Sequence, residues 1–312
     1  MCEHTWPQTK PVWAVRFNVD AKLLAVGGFE MCVHLYRTTG DRDLLQTIKY
    51  TPLGGPAFIW SLNWSADGAR FIVGCWNQQT FLYHVDPDAG DAEAEGEEPL
   101  VQICCVKRSD RVYSVGLDAH GHNLVVGGRD KKCAMYDCEH PGIASHEPRE
   151  AHLIWEVASE DFVYAVALSE DMQTCAFGGT AKTVHVLSAS SGTALFTVPC
   201  TGIIWALAIL EDNKGNDKLV IGGELPVLTV VDVVEQSDYL HIPVQETTYD
   251  IAITHDSICF TTGWCATMFG KGGMACSWDE QPSFIVLSSW VQAMLSSEEQ
   301  LLHMISLILD RH

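Results

Sequence analysis

Positive charge is scarce in this chain of 312 residues. Its 19 Lys and Arg stand against 40 Asp and Glu, a formal net charge of −21. Such a field repels phosphate backbones and anionic lipid, and the basic runs at 107–108 and 129–132 are too short to reverse it. Nucleic acid and acidic membranes are therefore not expected as partners. Long apolar runs are missing too: no uninterrupted stretch approaches the ~20 residues that cross a bilayer. The opening "MCEHTWPQTKPVW" has no basic segment followed by an apolar one, so the expectation is a cytoplasmic protein without membrane insertion.

Motifs of chemistry are also absent. The twelve cysteines contain no C-x-x-C, and "CAMYDCEH" separates its pair by four residues with no matching second half, so no metal site is expected. No H-E-x-x-H and no G-x-S-x-G occurs. "FGKGG" at 269–273 lacks both the upstream Gly and the following Ser or Thr of a phosphate loop. His120 and His122 fall in a turn and read as solvated. Neither catalytic residues nor a cofactor are expected. Twelve cysteines diluted over this length, several in apolar runs such as "LVQICCVK", read as mostly reduced, buried thiols.

What the chain has is repetition. "VYSVGLDAHGHNLVVGGRDKKCAMYD" (112–137) has near copies beginning at Val12, Ile59, Val163 and Ile204, and a weaker one at Thr248. Trp13, Trp60, Tyr113, Tyr164, Trp205 and Tyr249 occupy one position of the repeat; Gly27, Gly74, Gly127, Gly178, Gly222 and Gly263 occupy another. The aromatic-to-glycine offset is 14 residues in every copy but the fifth, where an insertion in the turn makes it 17. A fixed offset broken only in a turn marks a structural repeat.

Seven residues after the aromatic stands Asp20, Asp67, Asp171, Asp212 or Asp256, with His120 in the third copy. Asp suits a tight turn because its carboxylate bonds its own main chain, so this position joins two strands. A third apolar run ends at Tyr36, Tyr83, Tyr136, Leu187 and Val231. Fourth strands are offered by "DLLQTIKY", "LVQICCVK", "HLIWEVAS", "ALFTVPC" and "YLHIPVQ". Four short strands recurring without helices between them predict an all-β fold, a β-propeller of four-stranded blades. The paired glycines are expected where a Cβ would crowd the turn or the adjacent strand.

At these residues the chain resembles the WD-repeat propellers, whose repeat alternates apolar positions and closes on small-Gly, an Asp turn and Trp-Asp. "IWSLNWSADGARFIVGCWNQQTFLYHV" and "VYSVGLDAHGHNLVVGGRDKKCAMYD" carry the pattern, over residues 12 to about 273. No copy has the family's Gly-His, Tyr136-Asp137 alone approximates Trp-Asp, and the Asp of the second turn survives as Asp130. The resemblance implies six or seven blades, non-catalytic protein binding, and blades held by packing rather than by the family's internal polar network.

Val12, Val15 and Phe17 lie at i, i+3 and i+5, as do Ile59, Leu62 and Trp64. A regular strand puts i and i+3 on opposite faces, so this pattern asks for a bulge that pushes the intervening aromatic toward the mouth of the ring. In the resembling family this position lies at the rim where partners dock. The expected partner-binding residues are Trp13, Trp60, Tyr113, Tyr164, Trp205, Tyr249, Trp76 and Arg129; the same aromatics read equally as packing between blades.

Residues 1–280 are expected to form the propeller and 281–312 a helical tail. In the tail, Ser296-x-x-Glu299 is a capping box ahead of Leu301, Leu302, Ile305, Ile308 and Leu309 at helical spacing. Its apolar face predicts a brace against the propeller or a helical partner. The acidic segment 86–99 reads as a solvated loop. The expected function is a scaffold that binds proteins through the mouth of the ring. A structural module of a larger protein or assembly, and a ligand-binding or enzymatic propeller with a central-channel site, remain open.

Overall fold

The computed structural model describes residues 9–39, 43–52, 55–86, 99–138, 149–211, 215–244, 246–253, 257–262, 266–270 and 273–278. The core of the acidic segment, the helical tail, Asp212, Asp256, Gly263 and Gly272 lie outside the described residues.

Among the described residues twenty-five strands form six sheets, and there is no helix. The first sheet is β1 (Val12–Phe17), β2 (Leu23–Gly28), β3 (Cys32–Arg37) and β4 (Leu44–Lys49). The second holds β5 (Ile59–Trp64), β6 (Arg70–Cys75), β7 (Gln79–Val85) and β8 (Leu100–Lys107). The third is β9 (Val112–Leu117), β10 (Asn123–Gly128), β11 (Lys132–Asp137) and β13 (His152–Ala158); between its last two strands β12 (Arg149–Glu150) leaves to pair with β8. The fourth and fifth sheets are β14 (Val163–Leu168) with β15 (Thr174–Gly179), β16 (Thr183–Ser188) and β17 (Ala194–Pro199), and β18 (Ile204–Glu211) with β19 (Asp217–Gly223), β20 (Val227–Asp232) and β21 (Ser237–Pro243). The sixth is β22 (Thr248–Ile253), β23 (Ser257–Thr262), β24 (Ala266–Gly270) and β25 (Gly273–Trp278). Among the described residues every pairing is antiparallel except β12 with β8. Of the 269–273 stretch, Phe269 and Gly270 end β24 and Gly273 begins β25, and these two strands pair antiparallel.

The first strands of successive sheets stand side by side, from β1 through β5, β9, β14 and β18 to β22. The core lies between blades. Leu35 and Val33 of the first blade share one cluster with Phe71, Ile59 and Val73 of the second, and Val184 and Ala176 of the fourth share another with Ile204 and Ile221 of the fifth. This explains why second strands read as unbroken apolar runs: "LLAVGG" and "TCAFGG" are buried at all positions because both faces meet a neighbouring blade. Outermost strands have one wet face and alternate, as in β4. Each fully buried aliphatic or Phe side chain contributes about 1.5–3 kcal/mol of transfer free energy.

The turns follow the predicted chemistry. The carboxylates of Asp20, Asp67 and Asp171 accept from the backbone N–H groups of Lys22, Ala69 and Gln173 at 3.1, 2.9 and 3.0 Å. In the third blade His120 leaves that task to Asp118, which accepts from the N–H groups of His122 and Asn123 at 2.8 and 3.2 Å.

The first blade meets the sixth through charge. Arg16 on β1 makes a two-pronged ion pair with Asp250 on β22, at 2.9 and 3.1 Å, across 234 residues of chain. Among the described residues every sheet takes its first-to-fourth strands from one repeat, so no strand is exchanged between the two ends.

Packing is not the whole of what holds the blades. Arg108 is buried in the third blade, its side chain 3% exposed, and donates to Asp130 at 2.9 Å and to the Tyr136 hydroxyl at 2.9 Å. The expectation of no internal polar network is corrected here, because Asp130 keeps its role with a guanidinium from the linker ahead of β9. In the second blade the equivalent Asn77, also buried, donates to the Thr51 carbonyl at 2.9 Å. In the fourth and fifth blades that position holds Ala181 and Leu225, and Leu225 joins the apolar core.

Candidate interaction surface at the bulged mouth

All six first strands are bulged at the predicted place. Pairing with the second strand skips from Val12 to Ala14, Ile59 to Ser61, Val112 to Ser114, Val163 to Ala165, Ile204 to Ala206 and Thr248 to Asp250. The residue left out of register is in turn Trp13, Trp60, Tyr113, Tyr164, Trp205 and Tyr249. A bulge re-aims its extra side chain, here toward one end of the ring.

The paired glycines make room for this. A Cβ on Gly27 would lie 2.6 Å from Ile59 of the next blade, and one on Gly127 2.5 Å from Val163. The second glycine of each pair faces its own blade's bulge: a Cβ on Gly179 would overlap the Phe162 carbonyl oxygen, and one on Gly223 that of Ile203. The same carbonyls accept from the turn beyond the glycine pair. Phe29 donates to Pro11, Trp76 to Phe58, Arg129 to Arg111, Thr180 to Phe162 and Glu224 to Ile203, at 2.8–3.1 Å. Bulge and second-hairpin turn are thus locked at one edge in five successive blades.

Above this framework the aromatics form a continuous arc. Ring centroids are 4.3 Å apart for Trp13 and Trp60, 5.4 Å for Trp60 and Tyr113, and 4.9 Å for Tyr113 and Tyr164. Tyr164 stacks on Trp205 at 4.4 Å, and Trp205 reaches Tyr249 at 6.2 Å. Trp76 joins by stacking on Trp60 at 5.2 Å. Exposure varies along the arc, from 7% at Tyr113 to 37% at Trp13 and 41% at Tyr249. Tyr113 is therefore a packing residue, while the arc's two ends present ring surface to solvent. Burial and the neighbouring Tyr113 raise the Tyr164 hydroxyl's pKa.

Charge gathers beside it. The Arg111 guanidinium lies 4.2 Å over Trp76, and Arg129 5.5 Å over Phe162. Lys131 sits 3.1 Å from Asp161, whose carboxyl it holds below the ordinary value. The Trp205 indole N–H points at Glu224 at 3.4 Å. Such rings and guanidinium groups are suited to burying a partner's apolar side chains and to hydrogen bonding its carboxylates.

The sequence pattern did not single out Phe58, Arg111 or Phe162. All stand two residues before the bulged aromatic, so the repeat alignment could have found them. It also missed three side-chain donor atoms that converge in the first blade: Glu30 Oε2, Cys32 Sγ and His34 Nε2 lie within 4.8 Å of one another. Their partial signal was C-x-H, which puts Cys32 and His34 on one face of β3, with Glu30 in the turn before it. His120, by contrast, is two-thirds exposed and bonds Asp67 at 3.1 Å across a blade boundary, as a turn residue.

Bulged four-stranded blades arranged around an axis, with the mouth lined by recurring turns, define a repeat propeller. A family model described as WD domain, G-beta repeat matches residues 1–37. That match covers the first blade through β3, and the recurrence of the same four-stranded antiparallel sheet along the chain is consistent with a WD-repeat propeller. Such domains generally mediate protein–protein interactions and are typically non-enzymatic. No curated protein matches the chain. No helix of the described residues is long and apolar enough to cross a membrane.

Proposed function

We propose that this chain is a non-catalytic, cytoplasmic scaffold that docks a protein partner on the bulged mouth. The carrying observation is the unbroken arc of Trp13, Trp60, Tyr113, Tyr164, Trp205 and Tyr249, with Trp76 and Arg129 beside it. Clustered Trp, Tyr and Arg dominate interface energies. The exposed ends, Trp13 and Tyr249, offer the first contact, and Arg111 and Arg129 select for acidic groups on the partner. The helix predicted over 281–312 supplies a second contact or a brace.

The test compares the parent with a Trp13→Ala, Trp60→Ala, Trp205→Ala variant whose circular dichroism and melting curve match a folded propeller. Partners captured from lysate are identified, purified and titrated against both. A central anchor contributes about 2 kcal/mol or more, so the triple variant is expected to lose at least 100-fold in affinity. Equal affinity for the same partner would refute docking at the mouth.

A further inference from the structure

We propose that Glu30, Cys32 and His34 form a zinc site in the first blade, with water in the fourth position.

Cys32 and His34 alternate on one face of β3, and Glu30 stands in the turn that leads into it. Met31 sits between Glu30 and Cys32 at φ 58°, a left-handed turn that folds Glu30 back over the strand. His34 Nε2 lies 2.9 Å from Glu30 Oε2 and 3.3 Å from Cys32 Sγ, and the sulfur lies 3.8 Å from the same carboxylate oxygen. A tetrahedral zinc with Zn–S of about 2.3 Å and Zn–N and Zn–O of about 2.0–2.2 Å has ligand-to-ligand edges of about 3.4–3.6 Å. All three separations come within roughly half an ångström of that geometry.

The outer contacts are those a metal site uses. His34 Nδ1 is 3.1 Å from Thr47 Oγ1 on β4, a contact that fixes the ring and leaves Nε2 to the cluster. The other Glu30 oxygen, Oε1, accepts from the Thr9 backbone N–H at 2.9 Å and from the Thr9 hydroxyl. Each polar ligand is therefore oriented through the atom that would not bind metal, the outer-contact arrangement that tunes metal sites. Burial is also suitable. Cys32 is 6% exposed, and the Glu30 and His34 side chains are 18% and 17% exposed.

The donor set selects the metal. Thiolate and imidazole with one carboxylate suit zinc, whereas calcium and magnesium require oxygen ligands. Binding displaces the thiol proton to solvent, and a thiolate and a carboxylate around Zn²⁺ give a neutral site.

Cobalt(II) serves as the spectroscopic probe, added to the intact reduced chain. The expected result is one tetrahedral Co²⁺ per chain with a thiolate-to-cobalt absorption band that Zn²⁺ abolishes. Cys32→Ser should remove the band with the fold unchanged by circular dichroism. Thr47→Val, which spares all three ligands, should keep the band and weaken affinity about 10–100-fold. A parent lacking the band at saturating cobalt, or an undiminished band in Cys32→Ser, overturns the site. If Cys32→Ser does not fold, zinc-edge X-ray absorption of the parent decides: a single sulfur neighbour among nitrogen and oxygen supports the site, and none or several overturns it.

Discussion

A methyl group at Gly179 has nowhere to go, because the Phe162 carbonyl oxygen that buttresses the bulge at Tyr164 occupies its place. Gly179→Ala is expected to destabilise the chain by about 2 kcal/mol or more. Gly55→Ala, with nothing within 4 Å of its Cβ, should be near neutral; urea unfolding of both checks the contrast. Asp232 gives a second test at this scale. Its carboxylate accepts from the backbone N–H groups of Glu235 and Val234 and from Lys218 Nζ at 2.6 Å. These bonds, that of Glu235 foremost, hold its pKa below the ordinary 3.8. A depressed carboxylate stabilises fully above its unfolded-chain value and loses that contribution as pH falls through the lower folded one. The stability gap between the parent and Asp232→Asn should therefore stay level from about pH 7 to 5 and shrink below about pH 4.

At the scale of elements, each blade depends on one irregularity placed in one strand. The aromatic-to-glycine offset and the i, i+3, i+5 pattern make that bulge legible in the residues alone, and the apolar runs do the same for the four strands of the first five blades. What stayed hidden lies outside the repeat register. Arg108 precedes β9 and enters the network of Asp130 from a linker, so no alignment of copies points to it. Asp118 takes over the turn from His120 two residues early. β12 is too short, at two residues, to leave a sequence pattern. The proposed zinc ligands escape a search for paired cysteines because they hold one cysteine, with its histidine two residues on along β3 and its carboxylate in the preceding turn. The Arg108 network is a further test: Arg108→Ala leaves the Asp130 carboxylate buried without its counter-charge. The expected loss is about 3–5 kcal/mol, read by denaturant unfolding.

For the whole molecule, closure is the distinctive question, since the two ends of the sheet series meet at Arg16 and Asp250. Both side chains are 26% exposed, which limits the pair to the order of 1 kcal/mol. A double-mutant cycle with Arg16→Ala and Asp250→Ala should return a coupling of that size. Hydrogen exchange should speed up at β1 and β22 in either single variant while β15 stays protected, because the ring opens at its seam before its interior unpacks.

The outer perimeter is asymmetric at the second blade, where the two-residue strand β12 lies parallel along β8. A bare outermost strand offers its unpaired backbone groups to any other chain that can add a strand. The second blade uses part of that edge internally, on a segment that belongs in sequence to the third. Blades two and three are thereby laced together at the rim as well as packed at the centre, and so should come apart as a single unit. Strand addition from outside is left to edges such as β17 and β21, where Leu195 and Tyr239 are 45% and 66% exposed.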